Sequence, residues 1–369
     1  MLRVMASELQ AAVAICAKVA DRGKIPILAA IRLQTDGSGM VELCATDTAQ
    51  TVLARIACDG EASFCIDAQS LELKVKTLRP GEAIIDDNGQ EMTIASGRTK
   101  WTAPILPAKD FIGDLAKRVE GETHIMPATF TADMVRVHRH ADDKIERIMG
   151  VCIDGDQMIA TTGKTLGIIG GLTMRDFRAT LPSSAIGRLA LLGEGELRFT
   201  VNRRMAMFET DHVALITRML EEQFPDYKRV LPTLPNSTTV DRAEFMAAIS
   251  RASALKSGAD KESLIGVSMT IGEDEISLSA LNGAGERGDD YVRHGGREGP
   301  QMTFGFIRDR LMLALDAIPH ETLRIFYDHQ QFNDQPPHMR PLRFEPVAPV
   351  GRTDFVVVMP YQLKNGFIA

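Results

Sequence analysis

Cysteine is scarce in this chain and scattered. Its five residues, Cys16, Cys44, Cys58, Cys65 and Cys152, are odd in number and include no Cys-x-x-Cys pair. That pattern speaks against a disulfide framework and against a zinc site, and suits reduced thiols in a cytoplasm, where they act as small core hydrophobes. Long apolar runs are also missing: no stretch of 18 apolar residues exists, so no membrane-crossing helix is expected. The opening MLRVMASELQAAV has Glu8 near its start and no apolar core, so it does not read as a secretory signal. No Ser/His/Asp or Cys/His constellation can be assembled, which removes the usual grounds for assigning an enzyme. Neither a cofactor nor a metal is expected. What remains is an ordinary globular composition, 44% apolar and 25% charged, in a chain of 369 residues that calls for two or three domains. The net charge of −7 counts against nucleic acid as a partner only if the basic residues are evenly spread.

Three motif-like stretches lose their force on inspection. ATTGKTL (Ala160–Leu166) ends like a phosphate-binding loop, but the position five before Gly163 is Met158, so the glycine cradle is absent. GAGERG (Gly283–Gly288) has the spacing of a dinucleotide loop, yet DDYVRHGGREG follows it and no helix is expected there. VHRH puts His138 and His140 two apart on a predicted helix, on different faces, which is a poor start for a metal site.

The dominant signal is repetition. ILAAIRLQTDGSGMVELCATD from Ile27, RIMGVCIDGDQMIATTG from Arg147 and LIGVSMTIGEDEISLSALN from Leu264 each read as two alternating strands around a polar, Gly-containing turn. Ile31, Val151 and Val267 hold equivalent positions, about 120 residues apart. Helical spacing precedes the first and third hairpins, through Leu9, Val13, Cys16 and Ala20, and through Phe245, Ala248, Ile249, Ala252 and Leu255. A second helix and further strands follow each hairpin. The chain is therefore expected to be an α+β protein of three like domains, 1–122, 123–238 and 239–369. Three such copies without a catalytic cluster favour a scaffold over a duplicated enzyme.

The repeat, together with RGKIPIL (Arg22–Leu28), FPDYKRVLP (Phe224–Pro232) and VVVMPYQL (Val356–Leu363), closely resembles the bacterial DNA polymerase III beta subunit family, the sliding clamps. The resemblance covers essentially the whole chain in order. It implies a head-to-tail homodimeric ring around duplex DNA, with helices lining the hole and sheets outside. It also implies a processivity factor with no chemistry of its own, which serves the polymerase alpha subunit, the clamp loader and other replication and repair proteins. The alternatives are a paralogous or mobile-element clamp for repair or a specialised replisome, and an enzyme with a site between repeats.

Carried over residue by residue, the resemblance places Arg22 at the DNA, with Lys76, Arg147, Arg251 and Lys256 as further candidates. Ser183 and Ser184 stand where the family often has basic residues. Trp101 and Ala103 fall on one side of the subunit seam, and Ala254 and Leu255 on the other. A hydrophobic groove for partner peptides comprises Ile148, Thr161, Gly163, Leu166, Pro232, Val357, Val358, Met359 and Pro360. Thr162, Lys164 and Thr165 replace the Asp, His and Arg common in the family's version of that turn. The tail Lys364–Ala369 extends past the usual end, and Phe367 and Ile368 are candidates to fold over the groove. Taking the helices as 7–22, 67–79, 131–147, 183–192, 241–256 and 308–318, they carry a net formal charge of +3 and the remainder −10.

Overall fold

A computed structural model describes residues 1–23, 25–255, 264–282, 285–331, 336–347 and 352–363, with backbone alone at 114 and 115. Lys256 and the tail from Lys364 lie outside the described residues, as do Gly283 and Ala284 of GAGERG.

The elements run through the same order three times. The first round is β1 (Leu2–Met5), α1 (Ala6–Ala17), β2 (Ala30–Thr35), β3 (Met40–Thr46), β4 (Gln50–Ala57), the two-residue β5 (Asp59–Gly60), β6 (Ser63–Asp67), α2 (Ala68–Val75), β7 (Glu82–Asp87), β8 (Glu91–Ser96) and β9 (Thr99–Pro104), followed by a short β10 (Leu106–Pro107). The second is β11 (Glu122–Ile125), α3 (Phe130–His138), β12 (Gly150–Asp154), β13 (Gln157–Thr161), β14 (Thr165–Gly170), β15 (Arg178–Pro182), α4 (Ser183–Ile186), β16 (Arg198–Val201), β17 (Met205–Glu209) and β18 (Val213–Arg218). The third is β19 (Asn236–Asp241), α5 (Arg242–Ala252), β20 (Gly266–Ile271), β21 (Glu275–Leu281), β22 (Arg287–Glu298), β23 (Met302–Ile307), α6 (Arg308–Asp316), β24 (Thr322–Tyr327), β25 (Leu342–Pro346) and β26 (Asp354–Val358).

The chain divides into two compact units, Met1–Thr131 with Ser184–Glu221, and Ala132–Ser183 with Glu222–Ala369. The sheets account for a division that cuts through the middle round. In the first unit one sheet runs β10-β6-β2-β3-β4-β18-β17-β16-β11, and β4 pairs with β18 through Ala54↔Val213 and Val52↔Leu215. A second sheet there has the order β5-β1-β7-β8-β9. In the second unit β14 pairs with β26 through Leu166↔Val357 and Ile168↔Phe355, inside the order β15-β12-β13-β14-β26-β25-β24-β19-β22-β21-β20-β23. Hydrogen-bonded ladders thus join successive rounds, and ladders hold residues together more densely than a linker does.

Local chemistry explains the elements. The Asp67 side chain accepts from Ser70 N at 2.7 Å and that of Asp241 from Glu244 N at 2.7 Å, capping α2 and α5. Helix α1 buries Leu9, Val13 and Cys16, α5 buries Phe245, Ala248, Ile249 and Ala252, and α6 buries Leu311 and Leu315, as the spacing predicts. The five thiols are free, and four of them are buried.

All six helices are shorter than the sequence suggests. α1 ends at Ala17 rather than residue 22, and α3 ends at His138 rather than residue 147. Past α3, Asp142 Oδ1 accepts from Lys144 N and Ile145 N, both at 2.8 Å, a side-chain turn that competes with helix. With the observed bounds the six helices carry no net charge, so the expected positive bias does not lie on them. Lys18, Arg22, Lys76, Arg79 and Arg188 instead follow helix ends, where the carbonyl-rich C-terminus favours cations.

Candidate functional site

In the second unit, one face of β12, β13, β14 and β26 gathers an apolar cluster. Ile148, Cys152, Ile159, Leu166, Ile168, Phe355 and Val357 pack there with Phe224, Tyr227 and Leu231. The last three come from FPDYKRVLP, which lies across the strands instead of joining the sheet. Tyr227 Oη donates to Gln157 Oε1 at 2.9 Å, and an Arg178 Nη donates to the carbonyl of Phe224 at 3.1 Å. Burial, and then the nearby Asp154 carboxylate, push the Tyr227 phenol well above its ordinary range, so it stays a neutral donor.

ATTGKTL is the hairpin between β13 and β14, with no helix after it. Thr161 Oγ1 accepts from Gly163 N at 2.9 Å and donates to the Thr165 carbonyl at 2.7 Å. Thr162 Oγ1 accepts from Lys164 N at 3.2 Å and Thr165 N at 3.0 Å, so a hydroxyl shapes the turn. Gly163 sits at φ +74, the left-handed region that glycine enters without strain. The Lys164 carbonyl accepts from Met359 N at 2.9 Å, tying the hairpin to the segment after β26.

The structure brings together most of the expected groove. Ile148, Leu166 and Val357 belong to the cluster, Thr161 and Gly163 form the hairpin beside it, and Met359 and Pro360 follow β26. Pro232 is half-buried one residue past Leu231. Val358 is placed differently: strand alternation turns it, with Val356, into the core of the third round. The sequence does not anticipate Phe224, Tyr227 and Phe355 in this cluster. The aromatic pair in FPDY, spaced to reach one apolar face, was the available signal.

Behind these strands lies a buried ionic group. Asp133 of α3 pairs with Arg136 at 2.6 Å and with Arg352 at 2.6 Å. Asp354 pairs with Arg352 at 2.8 Å and Arg136 at 3.5 Å, and also accepts from Gly170 N at 3.3 Å. Both carboxylates are buried, Asp133 at 3% exposure and Asp354 at 9%. Next to them His140, fully buried just past α3, lies against Gly167: a Cβ there would stand 2.3 Å from the imidazole Cδ2. Among the described residues neither ring nitrogen of His140 has a hydrogen-bond partner. Burial, aided by the charge of Arg139, holds its pKa down to about 4.

The other expected sites are scattered. Arg22 is exposed in the loop after α1, and Lys76 caps α2 and pairs with Glu72 at 2.9 Å. Arg147 is exposed in a single 3-10 turn, Glu146–Ile148. Arg251 ends α5 paired with Asp290 at 2.5 Å. On β9, Trp101 is 40% exposed and Ala103 buried; two apart, they share one face of the strand and pair in register with Ile94 and Met92 of β8. Ala254 is exposed and Leu255 half-buried beyond α5.

Comparison with known proteins returns one answer. The beta sliding clamp of Salmonella typhimurium is 24% identical over 327 residues, 82% of this chain and 86% of that protein. The crystal structure of the DNA polymerase III subunit beta from Pseudomonas aeruginosa matches with a TM-score of 0.84 at 20% identity, over 98% of this chain and 100% of that one. A Pseudomonas aeruginosa sliding clamp bound to griselimycin matches with a TM-score of 0.85, again at 20% identity and the same coverage. No family model matches the chain.

Proposed function

We propose that this chain, which carries the fold of the bacterial DNA polymerase III beta subunits, is a DNA sliding clamp. It is a non-catalytic processivity factor that encircles duplex DNA and tethers the replicative polymerase to it. The observation that carries this reading is the likeness in fold over 98% of the chain. The three rounds correspond to domains 1–122, 123–238 and 239–369. Two copies close head to tail into a ring with helices toward the hole and sheets outside, and the ring works in the cytoplasm, at the nucleoid. The polymerase alpha subunit, a clamp loader and other replication and repair proteins are its partners.

The strand edges support closure. The fourth strand of round one (β4, not counting helices) pairs with the last strand of round two (β18), and β14 of round two pairs with β26, the last of round three. By the same rule β22 should pair with β9, the last full-length strand of round one: β9 ends its sheet, and among the described residues the Arg287–Arg293 half of β22 has a strand on one side only. Among the described residues β9 pairs with β8 alone, and Arg287–Arg293 of β22 pair only with β21. A second copy satisfies both edges with one two-fold operation, and closed symmetry leaves no surface to grow a filament. Trp101 lies at that seam with Ala254 and Leu255 opposite. Trp101→Ala is expected to raise the dimer dissociation constant about tenfold or more, as for a buried aromatic anchor. Sedimentation equilibrium measures it, and an unchanged constant would place the seam elsewhere.

Arg22, Lys76, Arg147 and Arg251, with Lys256, meet phosphates rather than bases. Specific contacts would stop a clamp from sliding, whereas screened attraction does not. The direct test of function is retention after loading: the protein should remain on circular DNA and run off once the circle is cut. Equal loss from both forms would sink the clamp reading.

The groove takes a short linear motif, a glutamine followed by aliphatic and aromatic residues, at roughly micromolar affinity, about −8 kcal/mol. Met359 suits several partners because a thioether adapts its shape. Leu166 is 5% exposed at the centre of the cluster. Leu166→Ala is expected to weaken such a peptide by about tenfold or more while the dimer persists. Fluorescence anisotropy with the labelled motif reads this directly; unaltered titration would remove Leu166 from the groove.

A further inference from the structure

Each round opens with a short strand, and in two of the three that strand is paired on both sides. In the first, β1 pairs with β5 through Leu2↔Gly60 and Arg3↔Asp59. In the third, β19 pairs with the far half of β22 through Ser237↔Glu298, Thr238↔Arg297 and Val240↔His294. The second departs from this. Its opening strand β11 ends its sheet and, among the described residues, pairs with β16 alone. Glu122, Thr123 and Ile125 of β11 are exposed, Ile125 at 63%. An uncovered strand edge offers free N–H and C=O groups to any extended chain that approaches it.

Beside β11 a cleft of about 620 Å³ opens in the first unit, with Met126, Leu189 and Leu197 in its lining and Glu194 and Glu196 at its mouth. Carboxylates outnumber cations there: Glu122, Glu194, Glu196 and Asp211 surround Arg198, which stands opposite Ile125 on β16. Arg198 is engaged by Asp211 at 3.3 Å and Glu196 at 3.8 Å, while Glu194 has no cationic partner among the described residues. Glu122 pairs with His124 at 3.2 Å and with no other basic side chain among the described residues.

We propose that β11 is a strand-addition site: it accepts an extended, lysine- or arginine-rich segment of another protein as a further antiparallel strand. Backbone groups of β11 supply the ladder, Ile125 and the cleft take an aliphatic side chain, and Glu122 and Glu194 face the cations. Such addition draws affinity from main-chain hydrogen bonds and selectivity from alternate side chains. The site is distinct from the peptide groove, and its occupant has the opposite need: an alternating basic strand in place of aliphatic and aromatic anchors.

The test uses the full chain and a labelled, end-capped peptide alternating lysine and valine, with one alternating glutamate and valine as control. Saturable binding of the lysine peptide is expected, with the control at least tenfold weaker and the affinity falling as salt rises. Ile125→Lys, an exposed position where folding should be indifferent, is expected to weaken the lysine peptide about tenfold. Glu194→Lys should act in the same direction. Leu166→Ala should leave this peptide untouched, since it lies in the other unit. Equal binding of both peptides, no saturation, or indifference to Ile125→Lys would each overturn the proposal. So would a change of oligomeric state with Ile125→Lys, which would make a second copy of the chain the occupant of this edge.

Discussion

Replacing Asp133 with alanine is expected to lower the unfolding free energy by about 3–5 kcal/mol, the usual result of deleting one member of a buried ionic group. Its carboxylate takes the two closest contacts of the cluster, 2.6 Å to Arg136 and 2.6 Å to Arg352. Without it two partly buried guanidinium groups share the single carboxylate of Asp354. The cost comes from the charges left behind more than from the attraction lost. Replacing Asp133 and Arg352 together with apolar residues of similar size should therefore recover much of the loss. Urea unfolding followed by circular dichroism measures both. Equal destabilisation in the single and double variants would show that the carboxylate acts by packing rather than by charge. Function should follow stability, because Asp354 begins β26, whose Val357 belongs to the apolar cluster proposed as the groove.

A second large effect is expected on acidification. His140 is held neutral down to about pH 4 in the folded protein, against about 6.5 for a free imidazole. Between these values the unfolded chain takes up a proton that the folded chain refuses. Stability is thus complete above about pH 6.5 and falls as pH is lowered toward 4, by about 3 kcal/mol in all. The surroundings give the proton no compensation: Val137, Gly167, Ile168, Ala317, Ile318 and Phe355 border the adjoining small cavity with His140. Asp354 is the acidic residue bordering it, and it is already engaged by Arg136 and Arg352. Arg139, the nearest cation, opposes a second positive charge. The check compares unfolding free energies of the natural protein and His140→Phe from pH 7 to pH 4. The natural protein should lose more, and parallel curves would acquit His140.

How much of this was legible beforehand differs from element to element. Strand and helix order came through because period-two and period-3.6 patterns are local: Leu9, Val13 and Cys16 show a helical face without reference to any distant residue. Helix ends were less legible. α3 stops at His138 because Asp142 offers the backbone a competing turn, which apolar periodicity does not register. The charge tally failed for the same reason, since it counted residues just beyond the helices as part of them. In the apolar cluster of β12, β13, β14 and β26, Leu166 and Val357 were expected by resemblance, while Phe224, Tyr227 and Phe355 emerged only from packing. Val358 went to the wrong side because a run of three valines hides which face each takes until the pairing register is known.

By itself, the sequence determined a threefold α+β plan, free thiols and strands rich in β-branched residues, all of which follow from short-range spacing and composition. Tertiary structure alone decided which strands join rounds, which edge stays bare, and that Asp133, Arg136, Arg352 and Asp354 meet. Those outcomes depend on residues up to 221 positions apart, from Asp133 to Asp354. Their association is paid for by burial and ladder formation in the folded chain, and no local pattern encodes it.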